Sequence, residues 1–254
     1  MLSLIASSKS RREILFYLED GPKTHGDIKE HLHIGSPQLS LKIRELSEHN
    51  PISVRDRTYS LTTAGKVFLK NYRPLADTVE LLEKHDDFWK SHEVSDIPDE
   101  LLCRIGELHG SLCIEDDVYN MKRTWEVFVD IVRKARYIYG VSSIFDESIV
   151  ALFSEVETKG IPISIVLCYT LYNRLMYECP ELIFESTKFD NLEIYVSDVE
   201  IKTPFILTND YICFSPYLVN GKFDLHSNLV GHDESSMLWG RDLFEYYRAR
   251  SIKI

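Results

Sequence analysis

Short polar and basic side chains are concentrated in two stretches near the amino terminus of the chain. Gln can bind adenine through two hydrogen bonds, Lys and Arg can bind guanine or phosphate, and Ser can bind either. If one surface presents these side chains together, its chemistry is that of recognition of double-stranded DNA. The residues with this chemistry are Ser36, Gln38, Ser40, Lys42 and Arg44 in the first stretch and Arg55 and Arg57 in the second.

Two helix-start signals precede and accompany the first stretch. Thr24 is expected to cap one helix, with Asp27 at the third helical position completing a capping box. Ser36 is expected to cap a second helix whose first residue is Pro37, because a proline at that position loses no hydrogen bond. We expect Gly35, in the turn between the helices, to adopt a positive φ. Two helices joined by a glycine-containing turn are typical of a helix-turn-helix.

The second of these helices is amphipathic. Its apolar stripe, Leu39, Ile43 and Leu46, follows helical spacing and is expected to be buried. Gln38, Leu41, Lys42 and Glu45 would then point outward, with Ser40 and Arg44 on the flanks. The alternative interpretation is a solvated amphipathic helix with no DNA partner.

The segment that follows favours DNA binding over that alternative. Residues 51–62 read as two strands around a tight turn at Asp56 and Arg57. Thr62 or Thr63 then caps a helix through residue 72, and Pro74 is expected to open a further helix. A hairpin directly after a recognition helix is the wing of a winged helix, and Arg55 and Arg57 at its tip can reach phosphate or the minor groove.

The charge of the chain is divided unevenly. The formal net charge is −11, but residues 1–75 hold 12 Lys/Arg against 8 Asp/Glu, which is +4. The remainder holds 17 basic and 32 acidic residues, which is −15. This asymmetry is expected when one domain meets phosphate and the other does not.

The cysteines indicate the cellular compartment, and the apolar runs indicate whether the chain crosses a membrane. The five cysteines are scattered without a Cys-x-x-Cys pair, and we interpret them as buried reduced thiols, with redox sensing as the alternative. Together with the absence of a signal peptide, this predicts a cytoplasmic protein. No apolar run approaches the roughly 20 residues of a membrane span, so no membrane partner is expected.

Three segments are expected along the chain, within an α+β fold class. Residues 1–75 form a winged helix-turn-helix domain, residues 76–110 form linker helices and a connector, and residues 111–254 form an α/β regulatory domain. In the last segment strands alternate with helices, which predicts a sheet with a parallel start and an antiparallel finish. Hairpin turns are expected at residues 209–210 and 220–221, and a closing helix at residues 235–248.

The strand and helix order of residues 111–254 resembles one half of a phospholipase D-like fold. That chemistry needs a His nucleophile with a Lys two residues later, and the matching stretch, residues 200–210, holds Lys202 but no His. The resemblance therefore implies a catalytically dead half, and we expect no enzyme activity and no cofactor. A nucleic-acid-directed enzyme using this degenerate site remains an alternative, as does a protein-interaction adaptor.

If the second half is a sensor, its ligand site is expected in the loops that follow its strands, because α/β sheets bind ligands there. The alternative for each candidate is a helix cap or a surface side chain. His226, His232 and Asp233 lie close in sequence, but such loop residues are more often turn and cap residues, so no metal is expected. The candidate ligand-binding residues are Ser142, Ser143, Tyr169 and Arg174.

Nearly the whole chain resembles a family of winged-helix transcriptional regulators of methanogenic archaea, which includes methanogenesis and filamentation regulators. That family joins an arsenic-repressor-like reading head to a family-specific carboxy-terminal sensor domain. The stretches that carry the resemblance are residues 21–24, 57–62, 97–108, 139–145, 232–235 and 239–248.

The resemblance implies a DNA-binding transcriptional regulator that binds a double-stranded operator. It also implies a homodimer that responds to an unknown small-molecule effector through its second domain. The head lacks the cysteine pair of metal-sensing arsenic-type repressors, and Cys103 is its nearest thiol. Release of DNA by metal binding is therefore not expected.

Overall fold

The computed structural model describes residues 1–180 and 191–254. The chain divides into two compact units, Met1–Ala76 and Asp77–Ile254, and each is described by itself. Helices and sheets occur in both units, so the mixed α+β class is confirmed. Within the described residues, no helix combines the length and apolar character needed to cross a bilayer.

The first unit is a winged helix-turn-helix, as the sequence predicts. Its helices are α1 (Leu2–Ala6), α2 (Lys9–Tyr17), α3 (His25–Leu32), α4 (Ser36–Glu48) and the start of α5 (Thr63–Lys84), with a 3₁₀ turn at Leu18–Asp20. Its strands are β1 (Lys23–Thr24), β2 (Ile52–Arg55) and β3 (Thr58–Leu61), in the antiparallel order β1-β3-β2.

Local capping explains where the first unit's helices begin. The Thr24 hydroxyl accepts a hydrogen bond from the Asp27 amide at 3.2 Å, and the Asp27 carboxylate accepts one from the Thr24 amide at 2.8 Å, so the predicted capping box is confirmed. These bonds hold the pKa of Asp27 below its ordinary value. The Thr62 hydroxyl accepts from the Gly65 amide at 3.0 Å and caps α5.

Three local predictions for this unit were wrong. The cap of α4 is Gly35 rather than Ser36, which is the first helical residue and makes no capping hydrogen bond. The turn before α4 takes its positive φ at His33 (51°), because α3 ends there in a left-handed cap, whereas Gly35 has φ of −69°. Finally, α5 continues through Pro74 instead of ending before it.

Among the described residues, the strands of the second unit are β4 (Leu112–Glu115), β5 (Ile138–Ser142), β6 (Ile163–Cys168), β7 (Leu192–Ser197), β8 (Phe205–Leu207), β9 (Ile212–Phe214), β10 (Ser227–Gly231) and β11 (Ile252–Lys253). These eight strands form one sheet in the order β11-β7-β6-β5-β8-β9-β10-β4. The parallel start (β5, β6, β7) and antiparallel finish are confirmed. β10 and β11 were not predicted.

Helices cover both faces of this sheet. The helices are α6 (Asp86–Ser91), α7 (Asp99–Leu102), α8 (Arg123–Lys134), α9 (Glu147–Glu157), α10 (Tyr169–Glu178) and α11 (Glu234–Arg248), with a 3₁₀ turn at Ile105–Leu108. The helix expected at residues 171–184 corresponds to α10, which ends at Glu178. Residues 181–184 of that expectation lie outside the described part of the chain.

Aromatic packing and one buried hydrogen bond hold α11 on its face of the sheet. Phe244 stacks on Tyr139 with ring centroids 4.8 Å apart, and Trp239 packs edge-on against Phe214 at 5.8 Å. Trp239 is fully buried, and its indole N–H donates to the Leu101 carbonyl at 2.9 Å. Residues 77–110, much of the stretch expected to act as a linker, thus contribute to the second unit, and their side chains Leu81, Phe88, Ile97, Leu101, Ile105 and Leu108 are buried in its core.

Candidate nucleic-acid interface and ligand cavity

Helix α4 buries one face and exposes the other. Leu39, Ile43 and Leu46 are buried in the core of the first unit, as their spacing predicts. The exposed side of the helix carries Ser36, Gln38, Ser40, Leu41 and Arg44. Because α4 follows α3 and precedes the hairpin, this exposed side lies at the position from which winged helices contact bases.

Lys42 and Glu45, expected to point outward, are half-buried and lie in an ion-pair network. Lys42 Nζ and Arg11 Nη1, from α2, lie 3.5 Å and 3.4 Å from the same Glu45 oxygen. The Lys42 side chain is 19% exposed, whereas that of Arg44 is 70% exposed. The expectation for Lys42 is corrected: a carboxylate that also holds Arg11 draws its ammonium group toward α2, so α4 presents Arg44 as its most accessible cation.

Two further contacts bear on the candidate surface. Ser40 Oγ lies 3.3 Å from His25 Nε2 at the start of α3, which ties its hydroxyl to the preceding helix. Arg44 Nε lies 3.8 Å from Glu48, one turn later, but both side chains are mostly exposed. Such an exposed pair contributes little to stability, so the Arg44 guanidinium can exchange its carboxylate for a phosphate at small cost.

The hairpin between β2 and β3 carries the two wing arginines. Asp56 and Arg57 both have positive φ (47° and 62°), the conformation of a tight two-residue hairpin turn, so the predicted turn is confirmed. Arg55 and Arg57 are exposed. The hairpin is held by the register Arg55 to Thr58 and Val54 to Tyr59, and by β1 pairing on the other side of β3. The wing is therefore anchored at its base and presents its cations at the tip.

The candidate ligand residues of the second unit do not converge on one site. Ser142 lines a cavity of about 180 Å³ beneath α9. The Ser143 hydroxyl donates to the Ile201 carbonyl at 2.7 Å, which is a structural contact. Tyr169 is exposed, and Arg174 pairs with Glu178 at 2.8 Å. The cavity itself was not predicted, although a glycine at position 140 inside an apolar strand was a signal that could have pointed to it.

In the stretch compared with a phosphodiesterase site, residues 200–210, the backbone amides of Lys202 and Thr203 make structural hydrogen bonds. The Asp96 carboxylate accepts from the backbone amides of Lys202 and Thr203 at 2.6 Å and 3.1 Å. The same oxygen accepts from the Tyr247 hydroxyl at 2.9 Å, and burial is the largest of the causes that raise the pKa of Tyr247 far above its ordinary value. These hydrogen bonds hold α11 and residues 96, 202 and 203 together.

The residues considered as metal ligands, His226, His232 and Asp233, each make other contacts. His226 Nδ1 lies 3.0 Å from Asp116, and the His232 ring packs near Tyr211. Asp233 is the N-cap of α11 and accepts from the Ser236 amide at 3.0 Å. Over residues 1–180 and 191–254, no three His, Cys, Asp or Glu side chains are grouped as metal ligands.

Two models of known protein families match the chain. The family model described as "Methanogenesis regulatory protein FilR1, middle domain" matches residues 121–250, and the model of the FilR1 N-terminal domain matches residues 1–80. The chain belongs to the FilR1 family. The resemblance inferred from the sequence is thereby confirmed at the level of the family.

Individual relatives of this FilR1-family chain are distant. The methanogenesis regulatory protein FilR1 of Methanothrix harundinacea (strain 6Ac) is 23% identical over 262 residues, which cover 100% of this chain and 58% of that protein. The chain thus spans less than two thirds of the length of this relative. A structure of TrmBL2, described as an archaeal chromatin protein with a novel mode of DNA binding, is 14% identical and covers 100% of this chain and 98% of its own, with a TM-score of 0.46.

A structure of phosphatidylserine synthase from Haemophilus influenzae Rd KW20 is 11% identical, covers 57% of this chain and 39% of its own, and has a TM-score of 0.42. At TM-scores below 0.5, neither structure supports an inference about this FilR1-family chain.

Proposed function

We propose that this FilR1-family chain is a transcriptional regulator that binds a double-stranded DNA operator. The observation that carries the proposal is the exposed polar side of α4 next to a wing whose two arginines are exposed. The +4 charge of residues 1–75 supports it, because cations near the reading surface raise the rate and strength of phosphate binding. The name of the relative, a methanogenesis regulatory protein, agrees with this role.

The proposed contacts divide into base readout and backbone contact. Gln38 is proposed to read bases in the major groove, with Ser36, Ser40 and Arg44 beside it, and Lys42 contributes less because Glu45 holds its ammonium group. Arg55 and Arg57 are proposed to bind backbone phosphate. The test is fluorescence anisotropy on a labelled duplex from the protein's own promoter region and on a scrambled duplex.

Gln38→Ala is the sharpest variant for that assay. Loss of base readout should cost about 1–3 kcal/mol on the promoter duplex and little on the scrambled one. Ser47→Ala is the matched control, because the Ser47 hydroxyl donates to the Ile43 carbonyl on the same helix and is not part of the proposed surface. Equal losses for Gln38→Ala on both duplexes would refute specific readout.

We propose a homodimer through α5. Leu75, Val79 and Leu82 recur at i, i+4 and i+7 and are 55%, 44% and 40% exposed, which is an apolar stripe suited to a second copy of the same helix. Light scattering after size exclusion should give a dimer mass for the native chain and a monomer mass for Val79→Glu. Val118→Glu adds the same charge at an exposed valine of the second unit and should leave the mass unchanged.

We propose that the second unit, residues 77–254, senses an effector and performs no catalysis. The support for sensing is the cavity beneath α9, which reaches Ser142. The support against catalysis is that residues 200–210 contain no His nucleophile. Purified protein should therefore leave a generic phosphodiester substrate intact, and turnover that disappears in Lys202→Ala would refute this part of the proposal.

A further inference from the structure

The cavity of the second unit lies between one face of the sheet and α9. Side chains alternate along a strand, so every second residue of β5, β6 and β8 faces the same side. Gly140, Ile165 and Ile206 are such residues, and they form the floor of the cavity. Ile149, Val150 and Phe153, which share one side of α9, form its roof.

Gly140 is what leaves the floor open. It lies in the middle of β5 and is buried, and its φ is not positive, so the backbone does not require a glycine here. A Cβ at this position would lie 3.3 Å from Ile165 Cγ1 and 3.9 Å from Ile206 Cγ2, in tight but accommodating contact. Glycine weakens a strand interior, and it often marks a site that a ligand approaches closely.

The cavity wall is predominantly apolar, and its polar groups are mostly committed. The Ser154 hydroxyl donates to the Val150 carbonyl at 3.0 Å, and the Ser142 hydroxyl accepts from the Ile144 amide at 3.3 Å. Burial raises the pKa of the Cys213 thiol to about 12, so this wall group is neutral. Of the described residues in the wall, Glu157 is the one with a carboxyl group, and none of them is a lysine or an arginine.

The size and chemistry of the cavity define a class of ligand. An apolar engineered cavity of about 150 Å³ stays dry and binds benzene, because water finds too few hydrogen-bond partners there. This cavity has a volume of about 180 Å³ and a wall that is predominantly apolar but also holds serines and Glu157. Anions would lose their hydration beside Glu157 without gaining a cationic partner among the described wall residues.

We propose that the cavity over Gly140 binds a small, uncharged and predominantly apolar molecule of about the size of benzene to indole. The part of the inference that makes this molecule the effector rests on the proposed function. Binding itself does not, because it concerns the second unit alone. Such a ligand gains affinity from burial of apolar surface, with a small contribution from a hydroxyl such as that of Ser142.

Isothermal titration of the full chain tests the proposal, with indole as the probe and indole-3-carboxylate as the charged analogue. Indole should bind with a dissociation constant on the order of 1 mM or tighter, and the carboxylate at least about tenfold more weakly. Gly140→Val fills the floor and Val150→Phe fills the roof, and each should weaken indole binding at least about tenfold.

Ala151→Val is the matched control, because Ala151 is exposed on α9 and its added methyl groups do not enter the cavity. Thermal unfolding of every variant reports whether it is folded, and having two filling variants keeps the test decisive if one fails to fold. The proposal is overturned if indole does not bind the native chain, if the carboxylate binds equally well, or if the folded filling variants bind indole as the native chain does.

Refutation of ligand binding in the cavity and refutation of the regulator role would give different results. The titration contains no DNA, so indole binding with no promoter binding would refute the regulator and leave the cavity. Promoter binding with no indole binding would refute the cavity and leave the regulator. If both occur, indole at saturation should shift the promoter affinity of the native chain but not that of Gly140→Val, and no shift would overturn the effector assignment.

Discussion

Removal of both wing arginines should flatten the salt dependence of DNA binding by a calculable amount. Each phosphate neutralised on duplex DNA contributes about −0.9 to the slope of log affinity against log salt. Arg55 and Arg57 are both exposed at the hairpin tip. Arg55→Ala with Arg57→Ala should therefore reduce the slope by about 1.8 for one head, or about 3.6 if two heads bind one operator.

Anisotropy between about 50 and 200 mM salt makes the difference large, since a slope change of 1.8 over this fourfold range is roughly a 12-fold change in affinity ratio. Lys66→Ala with Lys70→Ala is the control, because it removes two exposed cations from α5, outside the proposed surface. An equal slope change in both double variants would mean that net charge, not contact, drives binding. An unchanged slope in the wing variant would refute the wing contacts.

Three shorter predictions test capping, packing and thiol chemistry. Asp233 caps α11; burial tends to raise its pKa, but hydrogen bonds from Ser235 and Ser236 outweigh this and leave the pKa lowered. Asp233→Ala should cost about 1 kcal/mol of unfolding free energy in urea at neutral pH, and the cost should shrink as pH falls below about 4 and the native carboxylate is protonated; a pH-independent cost would contradict this. Gly65→Ala should lower stability by about 1–3 kcal/mol or more, because its Cβ would lie 2.0 Å from a backbone carbonyl oxygen, whereas Gly26→Ala, in ordinary contact, should not. The expectation that all the cysteines are buried was wrong for Cys103, which is exposed. Cys103 should be alkylated first in the native protein, and Cys213, with its pKa raised to about 12, last, as mass spectrometry can check; the reverse order would contradict the burial.

The elements that were predictable are those set by local sequence. The capping box at Thr24, the stripe through Leu39, Ile43 and Leu46 and the tight turn at residues 56–57 each involve residues within a few positions of one another, so a single stretch determines them. Alternation of strands and helices after residue 111 likewise predicted the parallel part of the sheet, because a helical crossover is the usual link between parallel strands.

The elements that were missed depend on distant partners. β1 has two residues and exists because β3 pairs with it, and β10 is a strand because β9 and β4 flank it. Pro74 marked a helix boundary by local rules, yet α5 continues through it. For the candidate surface, spacing could not reveal that Glu45 draws Lys42 toward Arg11, because Arg11 belongs to another helix.

Two glycines of the second unit allow helix packing to be distinguished from space kept for a ligand. At Gly240 of α11, a Cβ would lie 2.5 Å from Ile212 Cδ1 on the sheet, and Ile212 is buried, so its side chain has little room to shift. At Gly140 the nearest side-chain atom would lie 3.3 Å from the Cβ, next to a cavity. Gly240→Ala should therefore destabilise the protein by about 1–3 kcal/mol, whereas Gly140→Ala should be neutral or stabilising by up to about 1 kcal/mol in urea unfolding. If Gly140→Ala proves as costly as Gly240→Ala, both glycines serve packing. If it stabilises, the native chain retains a glycine that its own fold does not need, which is the pattern expected when the space above the residue is kept for a ligand.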